Sequence, residues 1–376
     1  MALTFNELGK EFLSEKRIVE IESDNVNIES LNVRIYDKDD NILWEGNFLP
    51  EIGTSDTFRV ELNSIIREVY DFSFYDLTTL VAILGDFNFV QVDAAEIETD
   101  GTVNPYSTKQ GYVCHNFTVE EFLVNDFDPD DYNCGNGGSS ASLLATSAPR
   151  TQELKEGDSA FVGVNQISRD VGGAQQELRV EKYDENDSLI SASSIAFDDT
   201  NTFTSGIYAN AFRIEMDSSA YIICFVRDNY GANTIRSEVM RYNNVDTCRP
   251  VRIHWQNEFG QQDSFYFKGE YQKTLSSNSK MFERAKPVNR NTQDYGRRQY
   301  GNIYGDVWRV YTDTISQDLK EWLKGMYKTK KVAVEIDGNY YPATLNNSSL
   351  NYYNDINGVY QIEIPITFAN SVVGNN

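Results

Sequence analysis

Leu178-Arg-Val-Glu-Lys-Tyr-Asp-Glu-Asn-Asp-Ser-Leu189 repeats the pattern of Leu31-Asn-Val-Arg-Ile-Tyr-Asp-Lys-Asp-Asp-Asn-Ile42 at an offset of 147 residues. Leu, Val, Tyr and two Asp are identical, and Ile42 is matched by Leu189. In each stretch apolar and polar side chains alternate, an acidic turn follows, and a second run returns. That is a hairpin by composition. Alternation of this kind wants one sheet face buried and the other wet.

Working outward, Phe58-Arg-Val-Glu-Leu-Asn-Ser64 is matched by Phe212-Arg-Ile-Glu-Met-Asp-Ser218 at an offset of 154. The blocks keep their order, which predicts two copies of one β-domain, from about 17 to 125 and from about 155 to 245. Between them Asp126-Phe-Asp-Pro-Asp-Asp-Tyr-Asn-Cys-Gly-Asn-Gly-Gly-Ser-Ser-Ala-Ser142 reads as a polar connector. Just ahead of it, Thr118 with Glu121 forms a capping-box pattern for a short helix.

Beyond Thr247 the pattern changes. Val251-Arg-Ile-His-Trp255 and Ser264-Phe-Tyr-Phe-Lys268 read as strands. Ile315 to Tyr327 places Ile315, Leu319, Trp322, Leu323 and Met326 on one helical face, with Ser316 as N-cap and Asp318 suited to the helix dipole. Lys331 to Ile336, the pair Asp337-Gly338 and Asn339 to Thr344 predict a hairpin with a type I′ turn. Val359 to Phe368 is a closing strand, in which Pro365 predicts an edge or bulge position. The expected fold class is mainly β: two related β-sandwich-like domains followed by a C-terminal α+β domain with one clear amphipathic helix. The boundaries fall at 1–125, 155–246 and 247–376, with 126–154 as an acidic Gly/Ser-rich connector.

A chain of 376 residues buries about three quarters of its surface without needing a disulfide or metal staple. With 57 Asp and Glu against 33 Lys and Arg, the net charge of −24 disfavours a general binder of phosphate backbones or anionic lipid. The opening residues show no basic n-region before an apolar h-region, and no apolar run reaches membrane length. Neither a secretory signal nor membrane insertion is expected. Cys114, Cys134, Cys224 and Cys248 show no CxxC pair and no zinc spacing. Cys114 with Cys134 and Cys224 with Cys248 could each bridge, but free buried thiols suit a chain without a signal better.

Chemistry-bearing motifs are missing. There is no GxSxG, no HExxH, no P-loop and no GxGxxG after a strand. Cys114 and His115 are adjacent, so in an extended segment they point to opposite faces and form no dyad. His254 is expected as a packed or exposed strand residue, with no acidic neighbour placed to orient it. Asp126, Asp128, Asp130 and Asp131 begin like a calcium loop, but Asp131 stands where glycine belongs and Gly137 where glutamate belongs. A solvated acidic linker is the expectation there, with a non-EF-hand calcium site as the alternative. No carboxylate pair stands out for glycosidase chemistry. The sequence predicts no enzyme, no catalytic set, no cofactor and no metal.

Charge is segregated. Residues 263–331 hold 14 Lys and Arg against 8 Asp and Glu, whereas residues 1–262 hold 19 against 45. Opposite patches of this kind suit head-to-tail contact between copies of the chain. Arg290, Arg297 and Arg298 among Tyr295 and Tyr300 also suit a nucleic-acid channel, and a mixed, solvated face is the plain alternative. Trp255, Phe259, Phe265, Tyr266 and Phe267 pose a choice between a sugar-stacking platform and a core or subunit interface. The interface candidates are Arg290, Arg297, Arg298, Trp255, Phe259 and Tyr266.

Within Arg249-Pro-Val-Arg-Ile-His-Trp-Gln-Asn-Glu-Phe-Gly-Gln-Gln-Asp-Ser-Phe-Tyr-Phe267 lies a Trp-x-Asn-x-x-Gly-x-x-Asp-x-Phe-x-Phe signature. It resembles structural proteins of tailed phages infecting Bacteroidetes-type hosts, crAss-like phages included. The stretch from Arg298 to Asn370 is similar to the close of those proteins and, more loosely, to distal-tail and hub proteins. Leu143-Leu-Ala-Thr-Ser-Ala-Pro-Arg150 resembles the lead into their second β-domain. The resemblance covers most of residues 143–370 and carries no active-site residue across. It implies a tail or tail-associated virion protein, made in the host cytoplasm, that self-assembles into a ring and joins other tail or neck proteins. Nucleic acid would be met only in a lumen. The alternative is a carbohydrate-binding or adhesin-like β-sandwich protein contacting the host surface.

Overall fold

The computed structural model describes residues 3–6, 12–13, 19–25, 27–36, 41–52, 54, 57–60, 81–84, 89–113, 133–134, 144, 146–167, 176–196, 207–228, 235–246, 250–257, 261–269, 271–283, 297–329, 331–345, 351–354, 360–368 and 372–374. The expected helix at Thr118, the Cys114-His115 pair, the acidic run from Asp126 to Asp131, Phe259 and Arg290 lie outside these residues. Two compact units form. Unit 1 comprises Met1–Asp246, Gln256–Asp263 and Lys328–Lys330; unit 2 comprises Thr247–Trp255, Ser264–Tyr327 and Lys331–Asn376.

The first copy supplies β1 (Leu3–Asn6), β2 (Phe12–Leu13), β3 (Val19–Ser23), β4 (Ile28–Tyr36), β5 (Ile42–Phe48), β6 (Thr57–Val60), β7 (Val81–Leu84), β8 (Phe89–Glu98) and β9 (Ser107–Val113). The second follows with β10 (Asn133–Cys134), β11 (Thr151–Leu154), β12 (Ser159–Ile167), β13 (Gln176–Tyr183), β14 (Leu189–Ala196), β15 (Ile207–Glu215), β16 (Tyr221–Asp228), β17 (Ile235–Arg236) and β18 (Met240–Asn244).

The duplication read from the sequence is present in the strand order of one sheet in each copy. One sheet of the first copy runs β2-β9-β8-β4-β5, and one of the second runs β11-β18-β16-β13-β14. In both, the first strand is parallel to its neighbour and the rest are antiparallel. Leu31 faces Phe48 as Leu178 faces Ile195, and both hairpins slip register at the same place, between Ile35 and Tyr36 and between Lys182 and Tyr183. The second sheets share one pairing, Ile21 opposing Phe58 across β3 and β6 as Val162 opposes Phe212 across β12 and β15, but differ at the edge, where β1 is antiparallel to β3 and β10 parallel to β12.

These registers put like residues inside. Ile21, Leu31, Val33, Ile35, Phe58, Val60, Val92 and Ala94 from both sheets of the first copy form one buried cluster. Leu178, Val180, Phe212, Ile214, Ile222 and Cys224 are buried in the second. Each large apolar side chain so buried contributes roughly 1.5–3 kcal/mol. Cys224 takes the place of Ala94 and is a free thiol, pushed by burial well above the usual thiol range. The Tyr-Asp turn has a local cause. Asp184 Oδ1 accepts the backbone N–H groups of Asn186 and Ser188, both at 2.8 Å, which closes an Asx-type turn. Tyr183 stacks on Tyr221 at 4.9 Å.

Two expectations about boundaries need correcting. Thr151–Leu154 is not connector but β11, paired with β18, because Leu154 is a fully buried core residue. And β7, from the first copy's stretch of chain, joins a sheet of the second: Val81 faces Phe212 and Leu84 faces Ala209 in the order β10-β12-β15-β7. Residues 1–125 and 155–246 therefore share a sheet.

Unit 2 is built on β19 (Val251–Gln256), β20 (Gln262–Phe267), β21 (Gln272–Glu283), β22 (Arg297–Tyr311), helix α1 (Gln317–Lys328), β23 (Val332–Ile336), β24 (Asn339–Leu345), β25 (Asn351–Asn354), β26 (Tyr360–Phe368) and β27 (Val372–Gly374). The sheet order is β20-β19-β23-β24-β26-β22-β21, with β25 on β26 and β27 on β22. Ser316 Oγ accepts the Leu319 N–H at 3.3 Å, capping α1 as expected. Trp322, Leu323 and Met326 form its buried stripe. Asp337 and Gly338 both have positive φ, 50° and 74°, which is the type I′ geometry. Pro365 departs from expectation, since β26 is an internal strand. It is tolerated because β24 pairs with Ile366–Phe368 and β25 with Tyr360–Glu363, so Pro365 falls where the neighbour changes.

Candidate functional site

The signature residues divide by chemistry. In unit 2, Trp255 is fully buried and its ring lies 4.9 Å from that of Trp322, which also meets Phe265 at 6.1 Å. Phe265 and Phe267 make an edge contact at 5.1 Å. In unit 1, Asn257 Oδ1 accepts the Gln261 N–H at 2.9 Å and its Nδ2 donates to Asp263 Oδ1 at 3.1 Å, closing the turn. Thr146 Oγ1 donates to the same Asp263 carboxylate at 3.0 Å and accepts the Ala148 N–H at 3.0 Å. Arg150, at the end of that stretch, pairs with Glu238 at 2.6 Å. Burial raises the Glu238 carboxyl above its usual range, opposed by the Leu144 N–H and Arg150. Gln261 lies against Gly163, where a Cβ would come within 2.6 Å of its side chain.

The other face of β19 carries ionisable groups. Arg252 stands opposite Glu335 in the β19–β23 register, and donates to its Oε2 at 3.2 Å. His254 Nε2 lies 2.7 Å from the same oxygen, and its ring edge meets Tyr340 at 4.8 Å. Arg252 also donates to Ser264 Oγ at 2.9 Å and covers the ring of Tyr266 at 4.9 Å. Burial pushes His254 down to about 4, against the pull of Glu335, so it is neutral at pH 7 and donates. Burial opposes ionisation of Glu335, but the bonds from His254 and Arg252 outweigh it and hold the carboxyl below its usual range. The arrangement is a buried ion pair with an attached neutral imidazole. It corrects the expectation that His254 has no acidic neighbour: Glu335 comes from a strand far away in sequence.

Of the interface candidates, Trp255 and Tyr266 are buried within the chain, which removes them from that role, since a covered ring offers no face to a partner. Arg297 and Arg298 open β22 opposite Glu283 and Phe282. Among the described residues no group of three His, Cys, Asp or Glu is placed to hold a metal, and no helix is long and apolar enough to cross a membrane.

An aromatic row, buried at Trp308 and exposed at its two ends, went unread in the sequence. Tyr271 stacks on Trp308 at 5.7 Å, Trp308 meets Phe368 at 5.0 Å, and Phe368 meets Tyr341 at 6.5 Å. The row crosses β22, β26 and β24, starting from Tyr271 just before β21. Lys273 Nζ sits 4.0 Å over Trp308. Tyr271 and Tyr341 are 36% and 43% exposed, whereas Trp308 is buried and its Nε1 donor is enclosed without a hydrogen-bond partner. Only the two-residue spacing of Tyr271 and Lys273 hinted at a shared face.

The chain matches no protein-family model and no curated protein. Solved structures similar to it include the fibronectin(III)-like modules of Clostridium thermocellum CbhA, at 9% identity over 65% of this chain and 93% of that one, with a TM-score of 0.17. The C-terminal domain of the AgI/II polypeptide BspA of Streptococcus agalactiae is 8% identical over 64% and 99%, with a TM-score of 0.14. A structure addressing Dscam isoform specificity is 10% identical over 82% and 68%, with a TM-score of 0.16. At such TM-scores these likenesses carry no argument about what the chain binds. The class is defined by the strand orders above: a duplicated β-sandwich followed by an α+β domain.

Proposed function

We propose that this chain is a structural assembly protein of a tailed-phage particle, self-associating into a tail, hub or adaptor ring that joins larger parts. One observation carries the reading. The two stretches that resemble tail proteins, Leu143–Arg150 and Arg249–Phe267, meet through the Thr146–Asp263 hydrogen bond, while Asn257 closes the turn and Trp255, Phe265 and Phe267 serve packing. A motif used for architecture supports an architectural role. Mass photometry and negative-stain electron microscopy of the full chain test it. A ring or other defined oligomer is expected, and a strict monomer at micromolar concentration overturns it.

A second reading, a carbohydrate-binding or adhesin-like role at the host surface, is favoured by the row Tyr271–Trp308–Phe368–Tyr341. Tyr271 and Tyr341, the exposed ends of the row, offer ring faces and hydroxyls that suit a sugar. On a glycan array the expected result is specific binding lost in Tyr271→Ala and Tyr341→Ala. Absence of binding, or binding unchanged in both variants, rejects this role.

A further inference from the structure

We propose that Glu96, with its partner Ser23, is a pairing key that makes each β-domain of the duplication assemble from its own two sheets. The two copies hold different residues at these equivalent places. Leu31 stands opposite Glu96 in the β4–β8 register, as Leu178 stands opposite Val226 between β13 and β16. Ser23 lies two residues beyond Ile21 on β3, as Val164 lies two beyond Val162 on β12. Ile21 and Val162 face the matched Phe58 and Phe212. Residues two apart share a sheet face, so Ser23 and Val164 point into their cores with Ile21 and Val162. All four positions are buried, Glu96 and Val226 to the same 3% exposure.

The second copy is complete with valine at both places. In the first, a carboxyl group sits in the core and is satisfied by the neutral donors of Ser23, Asn25 and Asn104. The Ser23 hydroxyl donates to Glu96 Oε1, and Asn25 Nδ2 and Asn104 Nδ2 donate to Oε2 at 3.3 and 2.9 Å. Ser23 Oγ in turn accepts the Asn25 N–H at 2.9 Å. β3 and β8 belong to different sheets, so the Ser23–Glu96 bond joins the two sheets across the core.

A buried polar group without its partner is costly, whereas valine against valine is not. The β12 sheet laid on the β8 sheet would set Val164 against Glu96 and strand a carboxyl group in an apolar core. The β3 sheet laid on the β16 sheet would set the Ser23 hydroxyl against Val226. Only the two native pairings satisfy every group. Crossed pairing is a hazard in this chain, because the copies share a hairpin order and the Phe58 and Phe212 core positions. Indeed β7 of one copy already pairs with β15 of the other. Like domains misassemble by this route, within one chain or between two. Buried polar contacts elsewhere fix one register among like alternatives. The key acts during folding and is independent of the assembly role proposed above.

Refolding of the full chain by dilution from urea tests it, with Glu96→Val and Glu96→Gln beside the wild type. Glu96→Val gives the first copy the residue of the second, while Asn25 and Asn104 keep Glu98 Oε1 as acceptor at 3.2 and 3.0 Å. Its urea midpoint is expected to match or exceed that of the wild type. The fraction recovered with native elution volume and native hydrogen exchange is expected to fall about twofold or more, the loss growing with protein concentration. Glu96→Gln still accepts from Ser23 and is expected to refold as the wild type does. Wild-type recovery of Glu96→Val at every concentration overturns the key. A much lower urea midpoint, or failure to fold, also overturns it, since Glu96 would then be supporting its own copy. Equal losses in both variants overturn it as well, because the hydrogen-bonded contact would not be what selects the pairing.

Discussion

Arg252 and His254 share one oxygen of Glu335, at 3.2 and 2.7 Å, although 81 residues separate the histidine from the glutamate. The ion pair is nearly dry, with Arg252 and Glu335 side chains 4% and 12% exposed. Removing the acid takes away the carboxylate that balances a buried guanidinium. Glu335→Ala is expected to cost about 3–5 kcal/mol in urea unfolding followed by tryptophan fluorescence. A loss under about 1 kcal/mol would show that the pair is not structural.

The same cluster sets a pH dependence. His254 falls from 6.5 when unfolded to about 4 in the fold, so between these values the unfolded chain takes up a proton that the folded chain refuses. Its contribution is complete above pH 6.5 and is lost as pH falls towards 4, up to roughly 3 kcal/mol. Glu335, also depressed, adds a loss at still lower pH. In His254→Gln the slope of stability against pH between 6.5 and 4 is expected to flatten, measured by urea midpoints across that range.

Phe58 and Phe212 hold equivalent, fully buried places in the two copies. Phe58→Ala and Phe212→Ala are each expected to destabilise by about 3–5 kcal/mol, because neither site can collapse around the missing ring. Calorimetry on the two variants compares them directly. Costs differing by much more than about twofold would mean that the two cores are not equivalent.

Cys224, on β16, has no exposed surface, and its thiol is held protonated by burial. Alkylation mapped by mass spectrometry is expected to leave Cys224 unmodified in the native chain and to label it fully in urea. Rapid native labelling at this position would contradict its burial.

Ionic strength tests the charge-guided mode of association. A head-to-tail contact guided by the basic segment 263–331 and the acidic remainder weakens as salt rises, since both patches are screened. Sedimentation at about 0.1 and 0.5 M salt should therefore show association falling as salt rises, and association unchanged by salt would exclude charge as its guide.

What the sequence made legible was local. Alternation marked the hairpins, Asp337-Gly338 marked its own turn, and the spacing from Leu319 to Met326 marked α1, although Ile315, expected on the same helical face, bridges to Tyr360 ahead of it. In each case the pattern and its physical cause lie within about a dozen residues. The repeat was readable because two hairpins kept the same turn chemistry. What stayed hidden depends on which strands become neighbours. Glu335 reaches His254 only once β23 lies beside β19, and Tyr271, Trp308, Phe368 and Tyr341 form a row only when β26 enters between β24 and β22. Trp255 and Tyr266 alternate as exposed or buried rings would, and only the covering by Trp322 and Arg252 decides between them.

The pairing of β7 with β15 has a consequence for heredity. A strand lent by one repeat to the other makes residues 155–246 a poor cassette: recombination that moved them alone would leave β15 with an open edge and the donor with an orphaned segment. Once the loan was made, the two halves of the duplication had to be inherited together, free to diverge in surface but not in company.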